Sequence, residues 1–116
     1  MTPTAIARLF SAGKFEEAAP YLADSVEWFI YEEDKHFSGQ TQVMAFAREI
    51  ASYFASITTD FREYGLMEQD GKVAVYGYGK FIRDGEVVNE VNSCDVYEFD
   101  GGMVVRVHSY CNSKKK

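Results

Sequence analysis

Short glycine-containing turn sequences divide the second half of the chain into four segments with the composition of β-strands. Those turn sequences are Asp70-Gly71, Asp84-Gly85 and Asp100-Gly101-Gly102. Such sequences favour the tight turns that join neighbouring antiparallel strands. The segments between them are rich in aromatic and β-branched residues, and they cover residues 59–68, 73–82, 87–99 and 103–111. The pattern predicts an antiparallel meander.

The first half of the chain is predicted to contain helices. Thr2 followed by Pro3 is typical of a helix start, and the apolar stripe that follows ends at Gly13. A second helix is predicted over residues 15–22 and a strand over residues 26–30, which are rich in aromatic and branched side chains. Helices that precede an antiparallel meander are typical of an α+β domain.

A long helix is predicted after a loop over residues 31–39, with Thr41 as its cap. Its apolar positions keep helical spacing, and they are Val43, Phe46, Ala47, Ile50 and Phe54. We expect one domain over residues 1–116, because a chain of this length can enclose a single core.

The acidic charge balance limits the classes of partner. The chain has 18 Asp and Glu against 12 Lys and Arg, a formal net charge of −6, and three of the 12 cations are the lysines at 114–116. Nucleic acids and anionic membranes require basic patches, so neither is expected as a partner. A neutral or cationic small ligand is easier to accommodate.

Neither export nor a metal site is indicated. The sequence has no apolar run near the roughly 20 residues of a membrane span, and Met1 is not followed by a signal-peptide pattern. Cys94 and Cys111 fall on opposite strand faces by parity, so we expect free thiols and a cytoplasmic protein. Two histidines and two cysteines without ligand spacing predict no metal, and we expect no cofactor.

One carboxylate lies in the apolar row of a predicted strand. Strand side chains alternate between faces, and the odd positions from residue 91 to the end of the third predicted strand are Val91, Ser93, Asp95, Tyr97 and Phe99. A buried carboxylate must be paired, neutralised by a raised pKa, or placed beside a polar cavity. Asp95 is therefore the leading candidate for a functional residue.

The last turn decides what faces Asp95. A three-residue loop pairs odd positions with odd positions and places Asp95 beside Val107 and Ser109. A two-residue turn would oppose it to His108 or Arg106 instead. The apolar pattern of the last strand favours the three-residue loop. His108 is then expected on the outer face, exposed or at an interface, and His36 in a solvated loop.

The turn at residues 84–85 leaves two alternatives open. A two-residue turn places Tyr76 and Tyr78 on the Asp95 face. A three-residue loop or a bulge places Gly77, Gly79 and Phe81 there. Inward glycines would widen a cavity, and outward tyrosines would form an aromatic patch suited to a partner subunit.

Three segments together resemble a known family over nearly the whole chain. They are LADSVEW at 22–28, FSGQ at 37–40 and DVYEFDGGMVVR at 95–106, followed by Tyr110. The pattern resembles the SnoaL-like polyketide cyclases of the nuclear-transport-factor-2-like superfamily, which includes ketosteroid isomerase and limonene epoxide hydrolase. The resemblance implies a curved mixed or antiparallel sheet wrapped as a cone around a long helix, a cystatin-like α+β barrel with three helices in its N-terminal half. It also implies a ligand cavity and a homodimer through the outer sheet face.

The catalytic residues of the resembling families are only partly present. Asp95 resembles the isomerase carboxylate that stays protonated and donates a hydrogen bond to an oxyanion. The isomerase base would fall near Ile30 and its tyrosine near Ile6. The acid/base aspartate of the cyclases, and one of the hydrolase, would fall at Ser109. The hydrolase arginine and second aspartate would fall on or near the glycines at 77 and 79.

We therefore predict a cavity for a small, largely apolar ligand, with Asp95 as the catalytic residue if the protein is an enzyme. The predicted ligand-binding residues are Trp28, Phe46, Ile50, Ser93, Tyr97, Val107 and Ser109. The expected chemistry is cofactor-free proton transfer or ring closure beside a carbonyl. The alternative is a non-catalytic binding or dimerisation module that has lost the family's base. Core packing alone is enough to explain the aromatic residues.

Overall fold

The computed structural model describes residues 1–115, which form three α-helices, a short 3-10 turn and six strands. The helices are α1 (Pro3–Ser11), α2 (Phe15–Ala18) and α3 (Gln40–Ala55), and the 3-10 turn is Ala19–Tyr21. The strands are β1 (Leu22–Ile30), β2 (Lys35–Ser38), β3 (Thr58–Gln69), β4 (Lys72–Arg83), β5 (Glu86–Asp100) and β6 (Met103–Lys115). The predicted α+β class is confirmed.

The six strands form one curved mixed sheet in the order β2-β1-β6-β5-β4-β3. β1 and β6 are parallel, and every other neighbouring pair is antiparallel. The predicted meander is therefore present as β3 to β6. Within residues 1–115 the edge strands β2 and β3 do not pair, so the sheet is an open cone around α3.

The start of the chain follows local capping rules. Thr2 caps α1 by accepting a hydrogen bond from the backbone N–H of Ala5 at 3.2 Å, and Pro3 occupies the first helical turn. The second helix is shorter than the predicted 15–22, because Pro20 lies in a 3-10 turn and has no N–H to donate. β1 also begins earlier than the predicted residue 26.

Two predictions before the long helix are wrong. The predicted loop contains β2, which pairs with β1 and places Phe37 opposite Trp28. Thr41 is not the helix cap, because α3 begins one residue earlier and its N-cap is Gly39 at φ 88°. The N-terminus of the helix is stabilised instead by Gln42, whose Oε1 accepts a hydrogen bond from the backbone N–H of Ser38 at 3.0 Å.

The last turn reaches the predicted register by a different route. Asp100 pairs with Met103, so the loop has two residues and the predicted three-residue loop is wrong. Val105 forms a bulge, because Glu98 pairs with Arg106 while its neighbour Phe99 pairs with Val104. The bulge shifts the register by one residue. Asp95 therefore pairs with Ser109 and not with His108.

A second bulge resolves the open question at the turn before β5. Arg83 pairs with Glu86 across a two-residue turn, but the register shifts at residue 88. Gly77 consequently pairs with Ser93, and Gly79 with Val91, so the glycines share the Asp95 face. Gly77 also lies where a Cβ would collide with the carbonyl group of Arg62 on β3.

The core lies between the helices and the inner face of the sheet. The fully buried large side chains are Ile6, Leu22, Val26, Val43, Val73, Tyr97, Val104 and Val107. α3 buries Val43, Met44 and Ala47, while Phe46 and Ile50 pack at the border of the core. The N-terminal part of the apolar stripe of α3 therefore packs in the core, and its C-terminal part borders open space beneath the sheet.

Candidate functional site

A cavity of about 520 Å³ lies between the inner face of the sheet and the helices α1 and α3. Six aromatic rings line it, and they belong to Phe10, Phe15, Trp28, Phe54, Phe61 and Phe81. Gly79 also lines it, so the absence of a side chain there does widen the space. A volume of this size is typical of small-molecule sites.

Asp95 lies on the inner face of β5, where its half-buried side chain lines the cavity. Ser11, the last residue of α1, donates its hydroxyl proton to Oδ2 of Asp95 at 2.8 Å. The same Ser11 oxygen lies 2.5 Å from the Tyr97 hydroxyl. Because Ser11 has one proton and gives it to Asp95, Tyr97 is the donor to Ser11. The result is a chain of hydroxyls that ends on the carboxylate.

A second chain of donors approaches Asp95 from β1 and β6. Trp28 Nε1 donates to Ser109 Oγ at 2.9 Å. The indole nitrogen can only donate, so the Ser109 proton is free for another acceptor, and the Ser109 hydroxyl also bonds to Asp95. Neutral donors therefore reach the carboxyl group from two sides.

Burial dominates the electrostatics of this group. It raises the pKa of Asp95 above its ordinary value of 3.8, and the hydrogen bonds from Ser109 and Ser11 oppose the rise. Burial, followed by the nearby Asp95 charge, raises the pKa of Tyr97 well above 10.0, so this phenol remains protonated at neutral pH. Asp95 is thus a carboxyl group whose proton is held more tightly than in water.

Cys111 lines the cavity but is a poor nucleophile. Burial, and then the charge of Asp95, raise its pKa to about 12. A thiolate is the reactive form of cysteine, so the free protein holds this side chain in its inert form. Both cysteines are free, as predicted.

Two glutamates mark the mouth of the cavity. Glu32 accepts hydrogen bonds from the backbone N–H and the hydroxyl of Ser113, both at 2.8 Å, and thereby fastens the turn after β1 to β6. Glu33 pairs with Lys35, whose Nζ lies 3.2 Å from the carboxylate and 4.9 Å from the centre of the Phe46 ring. The mouth is therefore acidic and partly aromatic.

The structure places the predicted site residues in three locations. Asp95, Trp28, Ile50, Ser93 and Ser109 line the main cavity. Phe46 lies at its mouth and stacks on Phe37 with ring centres 4.4 Å apart. Tyr97 and Val107 are fully buried in the core, and Tyr97 reaches Asp95 only through the Ser11 hydroxyl.

The sequence reasoning overlooked Ser11. The available signal was its position, because Ser11 follows the buried Ala7 by four residues and so continues the apolar face of α1 with a polar group.

The two histidines lie on the outer face. His36 belongs to β2 and not to a loop, and its ring stacks on Phe29 with centres 4.4 Å apart. His108 stacks on the other side, 5.2 Å from Phe29.

Two further findings concern the described part of the chain. Residues 1–115 contain no group of three or more His, Cys, Asp or Glu side chains that could hold a metal ion. None of the helices in this range has the length and apolar character needed to cross a bilayer.

Comparisons with known proteins find similarity in structure and not in sequence. No family model matches the sequence, and no curated protein matches it. An NTF2-like protein of unknown function from Cytophaga hutchinsonii ATCC 33406 is 21% identical, with a TM-score of 0.83 over 94% of this chain and 95% of that chain. A candidate SnoaL-like polyketide cyclase from Jannaschia sp. CCS1 is 15% identical, with a TM-score of 0.72 over 92% and 82%.

A third similar structure is that of TerC, co-crystallised with polyporic acid. It is 15% identical to this chain, with a TM-score of 0.69 over 94% of this chain and 87% of that chain. All three similarities extend over more than nine-tenths of this chain. The chain therefore has the nuclear-transport-factor-2-like fold, as the resemblance predicted.

Proposed function

We propose that the cavity binds a small, largely apolar molecule and that Asp95 is its principal polar contact. The observation that carries the proposal is the position of one carboxyl group, held by hydroxyl donors, in a cavity of about 520 Å³ with six aromatic walls. TerC, which has the same fold, was crystallised with the small molecule polyporic acid. Its ligand is a precedent for a small molecule in this fold.

The chemistry that this arrangement supports is cofactor-free proton transfer beside a carbonyl, as in an isomerase or cyclase. A raised pKa brings a carboxyl group nearer to neutrality, where it can both take and return a proton. The ionised group accepts hydrogen bonds from Ser11 and Ser109, which fix its orientation. Asp95 is the group we assign to the transfer, and the serines are positioning residues.

Ligand occupancy can be tested with the neutral probe naphthylmethanol by calorimetry. Ser93→Phe fills the cavity wall, and Asn92→Phe makes the same change on the outer face of β5, as a matched control. We expect Ser93→Phe to weaken binding at least tenfold, about 1.4 kcal/mol, and the control to leave it unchanged. Equal affinity in both variants would contradict a ligand in this cavity.

Catalysis can be tested by the exchange of hydrogen for deuterium next to the carbonyl of β-tetralone, followed by NMR in heavy water. The wild-type protein is expected to accelerate exchange over buffer, and Asp95→Asn is expected to lose at least tenfold of that rate. Asp100→Asn removes a carboxylate from an exposed turn and serves as the control for net charge. No acceleration by the wild type would favour the binding module.

A non-catalytic association module is the second candidate, and the outer face of the sheet favours it. Stacked rings cover this face, and they belong to Phe29, Tyr31, His36, His108 and Tyr110. Tyr31, Tyr76 and Tyr110 are 47%, 40% and 50% exposed. A flat aromatic surface of this kind suits a second copy of the chain. The proposed assembly is a homodimer through the outer face.

Sedimentation velocity tests the dimer independently of the ligand. A dimer is expected at micromolar concentration, and Tyr110→Glu, on the outer face, is expected to convert it to a monomer. The control is Tyr53→Glu, because Tyr53 is 42% exposed but lies on α3, away from the outer sheet face. A wild-type monomer at micromolar concentration, or an intact Tyr110→Glu dimer, would contradict the interface.

A further inference from the structure

We infer that the preferred ligand of this cavity is an organic cation, an ammonium group carried on an apolar ring body. The inference rests on the proposed function, because it presumes that the cavity takes a ligand at all. It names the charge of that ligand, which the proposed function leaves open.

The first argument is the charge of the walls. The cavity is lined by three carboxylates, from Glu32, Glu33 and Asp95. Among the side chains of residues 1–114, no Lys, Arg or His lines it. An anionic ligand would meet the carboxylate of Asp95 inside the cavity and the exposed carboxylates of Glu32 and Glu33 at its mouth, of which Glu33 is paired with Lys35. The like charge of Asp95, where water screens poorly, is therefore the main reason that an anion is disfavoured.

The second argument is that ionised Asp95 has no cationic partner in the described part of the chain. Its partners, Ser11 and Ser109, are neutral hydroxyls. A buried carboxylate without an opposite charge is costly, and a ligand ammonium group would supply that charge together with N–H donors. A neutral ligand supplies no charge to compensate the ionised carboxylate.

The third argument is the aromatic lining. Ammonium groups are attracted to the faces of aromatic rings, most strongly to Trp, where water is excluded. Six aromatic rings line the cavity that Asp95 also lines. A cation paired with Asp95 would therefore lie in a space with aromatic walls.

The mouth of the cavity already holds an ammonium group by this chemistry. Lys35 Nζ lies between the Glu33 carboxylate at 3.2 Å and the Phe46 ring at 4.9 Å. The chain thus binds its own cation with one carboxylate and one ring. The deeper cavity offers the same pair of groups around Asp95, without a lysine to fill it.

The experiment compares three naphthalene probes of nearly equal size that differ in charge. They are naphthylmethylamine as its ammonium form, neutral naphthylmethanol and anionic naphthoate, each titrated by calorimetry at neutral pH and physiological ionic strength. We expect the ammonium probe to bind at least tenfold more tightly than the alcohol, about 1.4 kcal/mol, and naphthoate to bind most weakly.

The variants separate this inference from the proposed function. Asp95→Asn is expected to remove the tenfold preference of the ammonium probe over the alcohol, because the variant has no carboxylate to pair with the ammonium group. Asp100→Asn makes the same change in net charge at an exposed turn and is expected to keep the preference. An Asp95→Asn protein that retains the preference, or an alcohol that binds as tightly as the ammonium probe, overturns the inference. Failure of all probes, or binding that Ser93→Phe does not weaken, contradicts the proposed function instead.

Acidification gives a second readout that needs no variant. The titratable groups around Asp95 come from three elements, and they are Cys94 and Tyr97 on β5, Cys111 on β6, and Glu32 and Glu33 in the turn after β1. Tyr97, Cys94 and Cys111 have raised pKa values and are neutral at acidic and neutral pH, so they contribute no change of charge to the pH dependence of binding. We expect the preference of the wild type for the ammonium probe over the alcohol to decline as pH falls through the Asp95 pKa. A preference that persists unchanged below that pKa counts against Asp95 as the cation partner.

Discussion

Two carboxyl groups on β5, three residues apart, have pKa values displaced in opposite directions. Asp95 points inward, and burial among neutral partners raises its pKa. Glu98 points outward to His108 Nε2 at 2.5 Å and Arg106 Nε at 3.3 Å, and its hydrogen bond to His108 is the largest cause that lowers its pKa. The face of the strand therefore determines the partners of a carboxylate. Glu98 stabilises the fold through His108 and Arg106, whereas the partners of Asp95 are neutral.

The aromatic rings of the two faces differ in a similar way. The inner rings around Phe10 meet edge to face, at 76° to Trp28 and at 77° to Phe15, while Phe54 and Phe81 on the cavity wall are stacked at 17°. Outer rings lie nearly parallel, with His108 at 8° to Phe29 and 2° to Tyr31. Edge-to-face rings interlock, while parallel rings leave a flat surface. The interlocked inner rings therefore belong to the core beside the cavity, and the outer rings form a flat surface suited to a protein partner.

The largest effect is expected when an inner ring is removed. Trp28 is 4% exposed and contacts both Phe10 and Phe15, so Trp28→Ala is predicted to lower the free energy of unfolding by about 3–5 kcal/mol. Tyr110→Ala removes an outer ring that is 50% exposed, and we expect a loss of about 0.5 kcal/mol or less in the monomer. Urea unfolding followed by circular dichroism measures both. Equal losses would remove the energetic distinction between the faces.

The next effect is a pH dependence that belongs to the inner carboxyl group. A raised folded-state pKa means that the folded protein binds more protons than the unfolded chain, so ionisation of Asp95 costs stability as pH rises from about 3.8 through the folded pKa. Asp95→Asn removes this cost, at about 1.4 kcal/mol for each pKa unit of displacement. The variant is predicted to gain stability over the wild type as pH rises.

Urea unfolding of both proteins from mild acid to mild base measures the difference. Asp100→Asn is the control, and its difference from the wild type should stay constant over the same range because this residue is exposed. If Asp95→Asn is less stable than the wild type by a margin that grows with pH, the carboxylate has a cationic partner in the free protein. The cation inference would then lose its second argument.

The features that sequence predicts well here are those set by neighbours in the chain. Turn sequences at 70–71 and 84–85 located the ends of the strands, because positive φ angles at these residues suit tight hairpin turns. The period of two placed Asp95 on the inner face, because side-chain direction follows from local strand geometry. Both are consequences of short-range backbone chemistry.

The features that sequence missed depend on distant contacts. The bulges at Val88 and Val105 lie in runs of β-branched residues, where nothing local distinguishes an extra residue from its neighbours. β2 is a four-residue edge strand that exists because it pairs with β1. Ser11 meets Asp95 across 84 positions of the chain, so only the fold brings them together. The electrostatic environment of the site could not be read from local patterns.

The outer carboxylate is expected to give a smaller effect than either Trp28 or Asp95. A lowered folded-state pKa means that Glu98 contributes stability above its ordinary pKa of 4.5, and that this contribution is lost as pH falls through the lower folded value. Because its side chain is 23% exposed and partly screened, we expect Glu98→Gln to cost about 0.5–1 kcal/mol at neutral pH. Glu86→Gln, at the exposed start of β5, is the control and should cost less. Urea unfolding at neutral pH and in acid distinguishes the cases, since the cost of Glu98→Gln must vanish in acid while that of Trp28→Ala persists. A cost that remains in acid would show that packing, and not charge pairing with Arg106 and His108, sets the contribution of Glu98.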